Sequence, residues 1–124
     1  MFKKLIKLWL PPFLWMVVIF ILSAIPHLQA TSDPFWNFIT RKLAHILEYF
    51  ILSFLIMRAF GFRNYFLTII IALLYATSDE YHQTFVIGRS GKFSDIIFDL
   101  SGILLGTGFV LWKKLPNRPK KPKI

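Results

Sequence analysis

Several side chains able to do chemistry lie inside otherwise hydrophobic stretches of this chain. Ser78-Asp79-Glu80-Tyr81-His82-Gln83 closes one apolar run. Lys42, His45, Glu48 and Tyr49 stand in the run before it, and Arg89, Asp95 and Asp99 accompany the run after it. An imidazole beside carboxylates can take or give a proton, so His45, Glu48, Asp79 and Glu80 are the candidates for acid–base chemistry. Lys42 and Arg89 suit a phosphate or carboxylate, with the guanidinium fork the more directional of the two. Gln83, Asp95 and Asp99 complete the candidate binding set.

The surroundings of these groups are lipid-like. The chain has 124 residues, 56% hydrophobic, with 14 Phe and no Cys. A soluble domain of this size leaves too much surface exposed to hide that much apolar area. A bilayer removes the difficulty, and an ionisable group inside one costs roughly 2.5 kcal/mol or more on insertion scales. The absence of Cys excludes a disulfide framework and a thiolate metal site. The net charge of +9 sits mostly at the ends of apolar runs, the pattern of membrane orientation rather than of nucleic-acid binding.

Four runs have close to the ~20 residues needed to cross a bilayer: about 8–25, 43–60, 65–87 and 96–112. The expected fold is all-α, a four-transmembrane-helix bundle, with a basic flexible tail at 113–124. Pro11 and Pro12 are expected in the opening turn of the first helix, where a missing N–H is harmless. Ser32-Asp33-Pro34 reads as a helix start, followed by interfacial Phe35, Trp36 and Phe38. Ser94 is the expected N-cap of the fourth helix. Under this topology Lys3, Lys4, Lys7, Arg58, Arg63, Lys113, Lys114, Arg118, Lys120, Lys121 and Lys123 share one side. Arg41, Lys42, Arg89 and Lys92 share the other. Eleven against four places both termini in the cytoplasm by the positive-inside rule.

Helix direction then gathers the polar groups at one depth, towards the outer leaflet. Lys42, His45, Glu48 and Tyr49 fall on one helical face, as do Asp79 and Gln83. Asp95, Asp99, Gly102 and Gly106 form a stripe, and the glycines let a neighbouring helix approach. His45 is expected to be oriented by Glu48 or Asp79. His82 is expected at the interface with lipid headgroups, and His27 to be inert. His45, Asp79, Glu80, His82, Asp95 and Asp99 are ligand types for a divalent ion. No compact signature such as His-Glu-x-x-His is present, so neither metal nor cofactor is expected.

Lys42-x-x-His45-x-x-Glu48-Tyr49, Asp79-Glu80-x-x-Gln83, Gly88-Arg89, Asp95 and Gly102-x-x-x-Gly106 together resemble the VanZ-like family, from about Arg41 to Phe109. Two positions differ from that pattern. Ile87 stands where a Pro is common, and Asp99 stands where an Asn is common, adding a carboxylate. The resemblance implies a small multi-pass protein of the bacterial cytoplasmic membrane. It further implies a role in the cell envelope or in resistance to teicoplanin, a lipoglycopeptide antibiotic. The expected partners are membrane lipids and a lipid-phosphate or lipoglycopeptide ligand, with no nucleic acid. Two alternatives come from the residues themselves: a non-catalytic structural network of charges, and a proton or ion pathway. The pathway reading suffers from the sparse polar content of the cytoplasmic half, limited to Ser53, Arg58, Thr68 and Thr107.

Overall fold

The computed structural model describes residues 1–24, 32–86 and 95–114. Among them the chain is all-helical, with four helices and no strand: α1 (Phe2–Ala24), α2 (Pro34–Ala59), α3 (Tyr65–Gln83) and α4 (Ile96–Lys114). Gly88, Arg89, Lys92, Ser94, His27 and the tail beyond Lys114 lie outside the described residues, so the expectations placed on them stay with the sequence.

Asp33 caps α2: its carboxylate accepts the Phe35 N–H at 2.9 Å, and Pro34 occupies the first turn, where no N–H is required. The helix then continues for 26 residues. The aromatic segment expected to precede the second run is therefore its first turns. At the other end Gly61 and Phe62 both adopt positive φ, 69° and 60°. The glycine does so without a Cβ penalty. Phe62 is held there by its N–H bond to the Met57 carbonyl (2.7 Å) and by its ring against Phe54.

α1 corrects an expectation. It begins at Phe2, and Pro11 and Pro12 lie in its interior rather than in its first turn. The carbonyls of Lys7 and Leu8 consequently lack their usual amide donors. The lysine-bearing segment is helical because Leu5, Ile6, Leu8, Trp9 and Leu10 continue the apolar run back to the N-terminus. α3 stops at Gln83, short of the expected end, and α4 runs on to Lys114.

The helices alternate in direction. Trp9 of α1 packs edge-on against Phe60 at the end of α2 (4.9 Å), while Gln83 at the end of α3 reaches Ser23 at the end of α1. α2 is central, touching the other three, with its largest contact on α4. That contact is backbone-close. A Cβ on Gly102 would strike the Ile46 carbonyl, and one on Gly106 would strike Ser53 Oγ and the Phe50 carbonyl. The core is Ile19, Tyr49, Leu52, Ile56, Ala72, Ala76 and Ile103.

Burial is inverted relative to a water-soluble protein. Asp79, Glu80, Gln83 and Asp99 are buried, while Phe13, Leu14, Leu47, Phe66, Leu74, Leu104 and Leu105 are exposed. An apolar exterior around a charged interior suits lipid on the outside. α1 and the 96–113 stretch of α4 are long and apolar enough to cross a membrane, with mean hydropathies of 2.2 and 1.5. α2 and α3 carry most of the charged candidates.

Candidate functional site

The alternating directions bring the C-terminal ends of α1 and α3 together with the N-terminal parts of α2 and α4. There the charged groups meet in cross-helix pairs. Lys42 of α2 donates to Asp95 at the head of α4, and its ammonium also lies 5.2 Å and 5.0 Å from the Phe38 and Phe98 ring centres. One turn deeper, His45 Nδ1 and Asp99 Oδ1 are 2.7 Å apart. One turn deeper again, the Tyr49 hydroxyl donates to Asp79 Oδ2 of α3 at 3.3 Å. Each pair joins α2 to a neighbour, so α2 sets the register of the cluster.

The 3.6-residue period explains why one face of α2 can do this. Lys42, His45 and Tyr49 are separated by three and four residues and stack along one stripe. Glu48 lies beside that stripe. Its backbone carbonyl accepts the Trp15 Nε1–H at 2.8 Å, which ties α1 to α2. The Tyr75 hydroxyl similarly donates to the Met16 carbonyl and ties α3 to α1.

His45 is positioned by Asp99, not by Glu48 or Asp79. The reason is the close α2–α4 approach at Gly102 and Gly106, which brings the two backbones near enough for these short side chains to bond. Asp79 instead accepts from the Tyr49 hydroxyl through Oδ2, while its Oδ1 has no hydrogen-bond partner among the described residues. Gln83 is fully buried and donates to Ser23 Oγ at 3.3 Å. Glu80, one residue round the helix from Asp79, is also buried, because α3 is covered on more than one side. The His82 ring stacks on Phe20 of α1, with centroids 4.4 Å apart.

A cavity of about 250 Å³ opens beside this cluster, lined by Leu22, Ser23, Arg41, Ala44, His45, Glu48 and Gln83. Of the residues singled out in the sequence, His45, Glu48 and Gln83 line it. Lys42 and Asp95 are engaged with each other, and Asp79, Glu80 and Asp99 lie behind the wall. Ser23 and Arg41 were not anticipated. Ser23 carried a weak signal, as the one hydroxyl in the first apolar run. Arg41 was counted only for topology.

In the opposite half the buried hydroxyls among the described residues serve their own helices. Ser53, Thr68 and Thr107 each bond back to a carbonyl of their own helix: Phe50, Asn64 and Ile103 respectively. A hydroxyl committed in this way satisfies local backbone rather than linking helices.

The family model described as VanZ/LLP1 matches residues 6–114, nearly the whole chain and more than the Arg41–Phe109 stretch that carries the sequence resemblance. The chain belongs to the VanZ/LLP1 family. No curated protein and no solved structure matches it.

Proposed function

Taking the chain as a VanZ/LLP1 family member, we propose that it is a four-span protein of a bacterial cytoplasmic membrane with both termini inside. Its outward-facing polar cavity holds a phosphorylated lipid headgroup, in envelope lipid handling or glycopeptide resistance. The observation that carries this reading is the cavity beside His45, whose otherwise largely apolar lining includes a guanidinium (Arg41), a carboxylate (Glu48), an amide (Gln83) and a hydroxyl (Ser23). Arg41 supplies bidentate contacts to phosphate oxygens. His45, steadied by Asp99, is the group suited to move a proton at a bound headgroup. Arg89, whose guanidinium suits a phosphate or a carboxylate on sequence grounds, lies outside the described residues.

Two experiments test it. The chain has no Cys, so single cysteines label without background. A Cys at Asp33 should react with a membrane-impermeant maleimide in intact cells, and a Cys at Lys4 or Arg63 only after permeabilisation. Labelling of all three in intact cells would end the topology. For the site, purified protein in nanodiscs should bind a polyprenyl or diacyl phosphate, and Arg41→Ala should weaken that binding. Cells expressing His45→Ala at normal levels should lose any teicoplanin phenotype that the parent confers. Equal binding of neutral and phosphorylated lipids would end the headgroup reading.

A second reading is a structural network without a ligand, favoured by the Lys42–Asp95 and His45–Asp99 pairs across the α2–α4 seam. It predicts that Lys42→Asp lowers folded protein and that adding Asp95→Lys restores both protein and phenotype.

A further inference from the structure

Three side chains from three helices converge behind the cavity wall: His45 of α2, Glu80 of α3 and Asp99 of α4. A ring nitrogen of His45 and one carboxylate oxygen from each acid lie within 4.8 Å of one another. Glu80 is 1% exposed, and neither of its carboxylate oxygens has a hydrogen-bond partner among the described residues. Asp99 is 0% exposed; His45 occupies its Oδ1, and its Oδ2 has no partner among those residues. Lys42 does not relieve this, being held by Asp95. Two buried carboxylates face one imidazole with three of their four oxygens unengaged. Such a group is costly to bury unless something else neutralises it.

We propose that His45, Glu80 and Asp99 bind one divalent cation of the zinc or manganese class. An imidazole and two carboxylates are the donor set these ions take. The cation would offset both acids and engage their open oxygens together. Bonds of about 2.0–2.2 Å set neighbouring donors roughly 3 Å or more apart; His45 Nδ1 and Asp99 Oδ1, hydrogen-bonded at 2.7 Å, would exchange that bond for the ion. A Glu80 carboxylate oxygen lies within 4.8 Å of the His45 and Asp99 donor atoms, so it is the ligand that has to move in as the ion binds. Three protein ligands would leave such an ion room for a further ligand, and His45 also lines the cavity. Compact metal signatures did not reveal the site because its ligands come from three separate helices. The proposal uses no feature of a lipid ligand and stands apart from the headgroup reading.

The test is metal binding by tag-free, full-length protein in detergent micelles, stripped with EDTA. Zn²⁺ and Mn²⁺ are titrated separately by calorimetry, and metal retained after desalting is measured by mass spectrometry. The expected result is one equivalent per chain with an EDTA-reversible rise in unfolding temperature. Glu80→Gln and His45→Ala should weaken binding by at least about 100-fold, because changes one shell further out already cost 10–100-fold. Asp33→Asn, at the α2 cap, should bind as the parent does. A parent protein that takes up neither ion, with Glu80 and Asp99 instead carrying a proton, overturns the proposal. So does a folded Glu80→Gln variant that binds at parental affinity. If Glu80→Gln does not fold, the parent titration and its EDTA-reversible thermal shift decide alone. Metal uptake without phosphate-lipid binding would end only the headgroup reading, and the converse only this one.

Discussion

The two ends of the bundle are built by the same four helices and solve opposite problems. At one end, α2 meets its neighbours through Lys42–Asp95, His45–Asp99 and Tyr49–Asp79. At the other, Ile6, Trp9, Leu10, Pro12, Phe13, Met16, Ile56 and Ile71 surround an apolar cavity of about 380 Å³, and Trp9 stacks edge-on against Phe60. The charged end depends on direction and partner: each group there is useful only if a specific atom faces it. The apolar end depends on volume, and its dispersion contacts are numerous and forgiving. A chain with both can fix the register of its helices at one end and tolerate variation at the other.

This contrast can be broken experimentally. The largest effect is expected from Gly102→Leu, at the charged end. The added side chain meets the Ile46 backbone, which cannot step aside as a side chain would. A loss above about 4 kcal/mol is expected, read as absence of monodisperse protein after extraction. Next is Asp99→Ala, which strips His45 of its partner and should cost about 3 kcal/mol in denaturant titrations. If it costs nothing, the directional account of that end is wrong. Ile56→Ala, fully buried beside the apolar cavity, should cost about 2 kcal/mol while leaving ligand or metal binding at the far end unchanged. The smallest is Gly61→Ala in the α2–α3 turn, expected at about 1 kcal/mol because a Cβ is then forced into the left-handed region. A larger loss there than at Asp99 would reverse the ranking of the two ends.

Much of this was legible in the sequence, for definite reasons. Helical spacing alone placed Lys42, His45 and Tyr49 on one stripe and put Asp95, Asp99, Gly102 and Gly106 on another. Burial within a bundle follows directly from such stripes. Asp33-Pro34 announced a helix start through ordinary capping chemistry. Spacing within a helix does not reveal which stripe of one helix faces which stripe of the next. That is why Asp99, rather than Glu48 or Asp79, came as the partner of His45. It is also why Glu80 joined the buried set although it lies off the Asp79–Gln83 face. Pro11 and Pro12 misled for a related reason. Proline is a strong boundary signal in water-exposed helices, but an apolar run on both sides of the pair carries the helix through it.

The glycine contacts between α2 and α4 also decide which wall of the cavity can yield. That seam is locked main chain to main chain and has no slack to give. α1 contributes Leu22 and Ser23 to the cavity but is fastened by side-chain tethers: Trp15 donates to the Glu48 carbonyl of α2, and Tyr75 of α3 donates to the Met16 carbonyl of α1. Substitutions meant to change the width of the chamber are therefore better aimed at the side-chain contacts of the first helix than at the glycine seam.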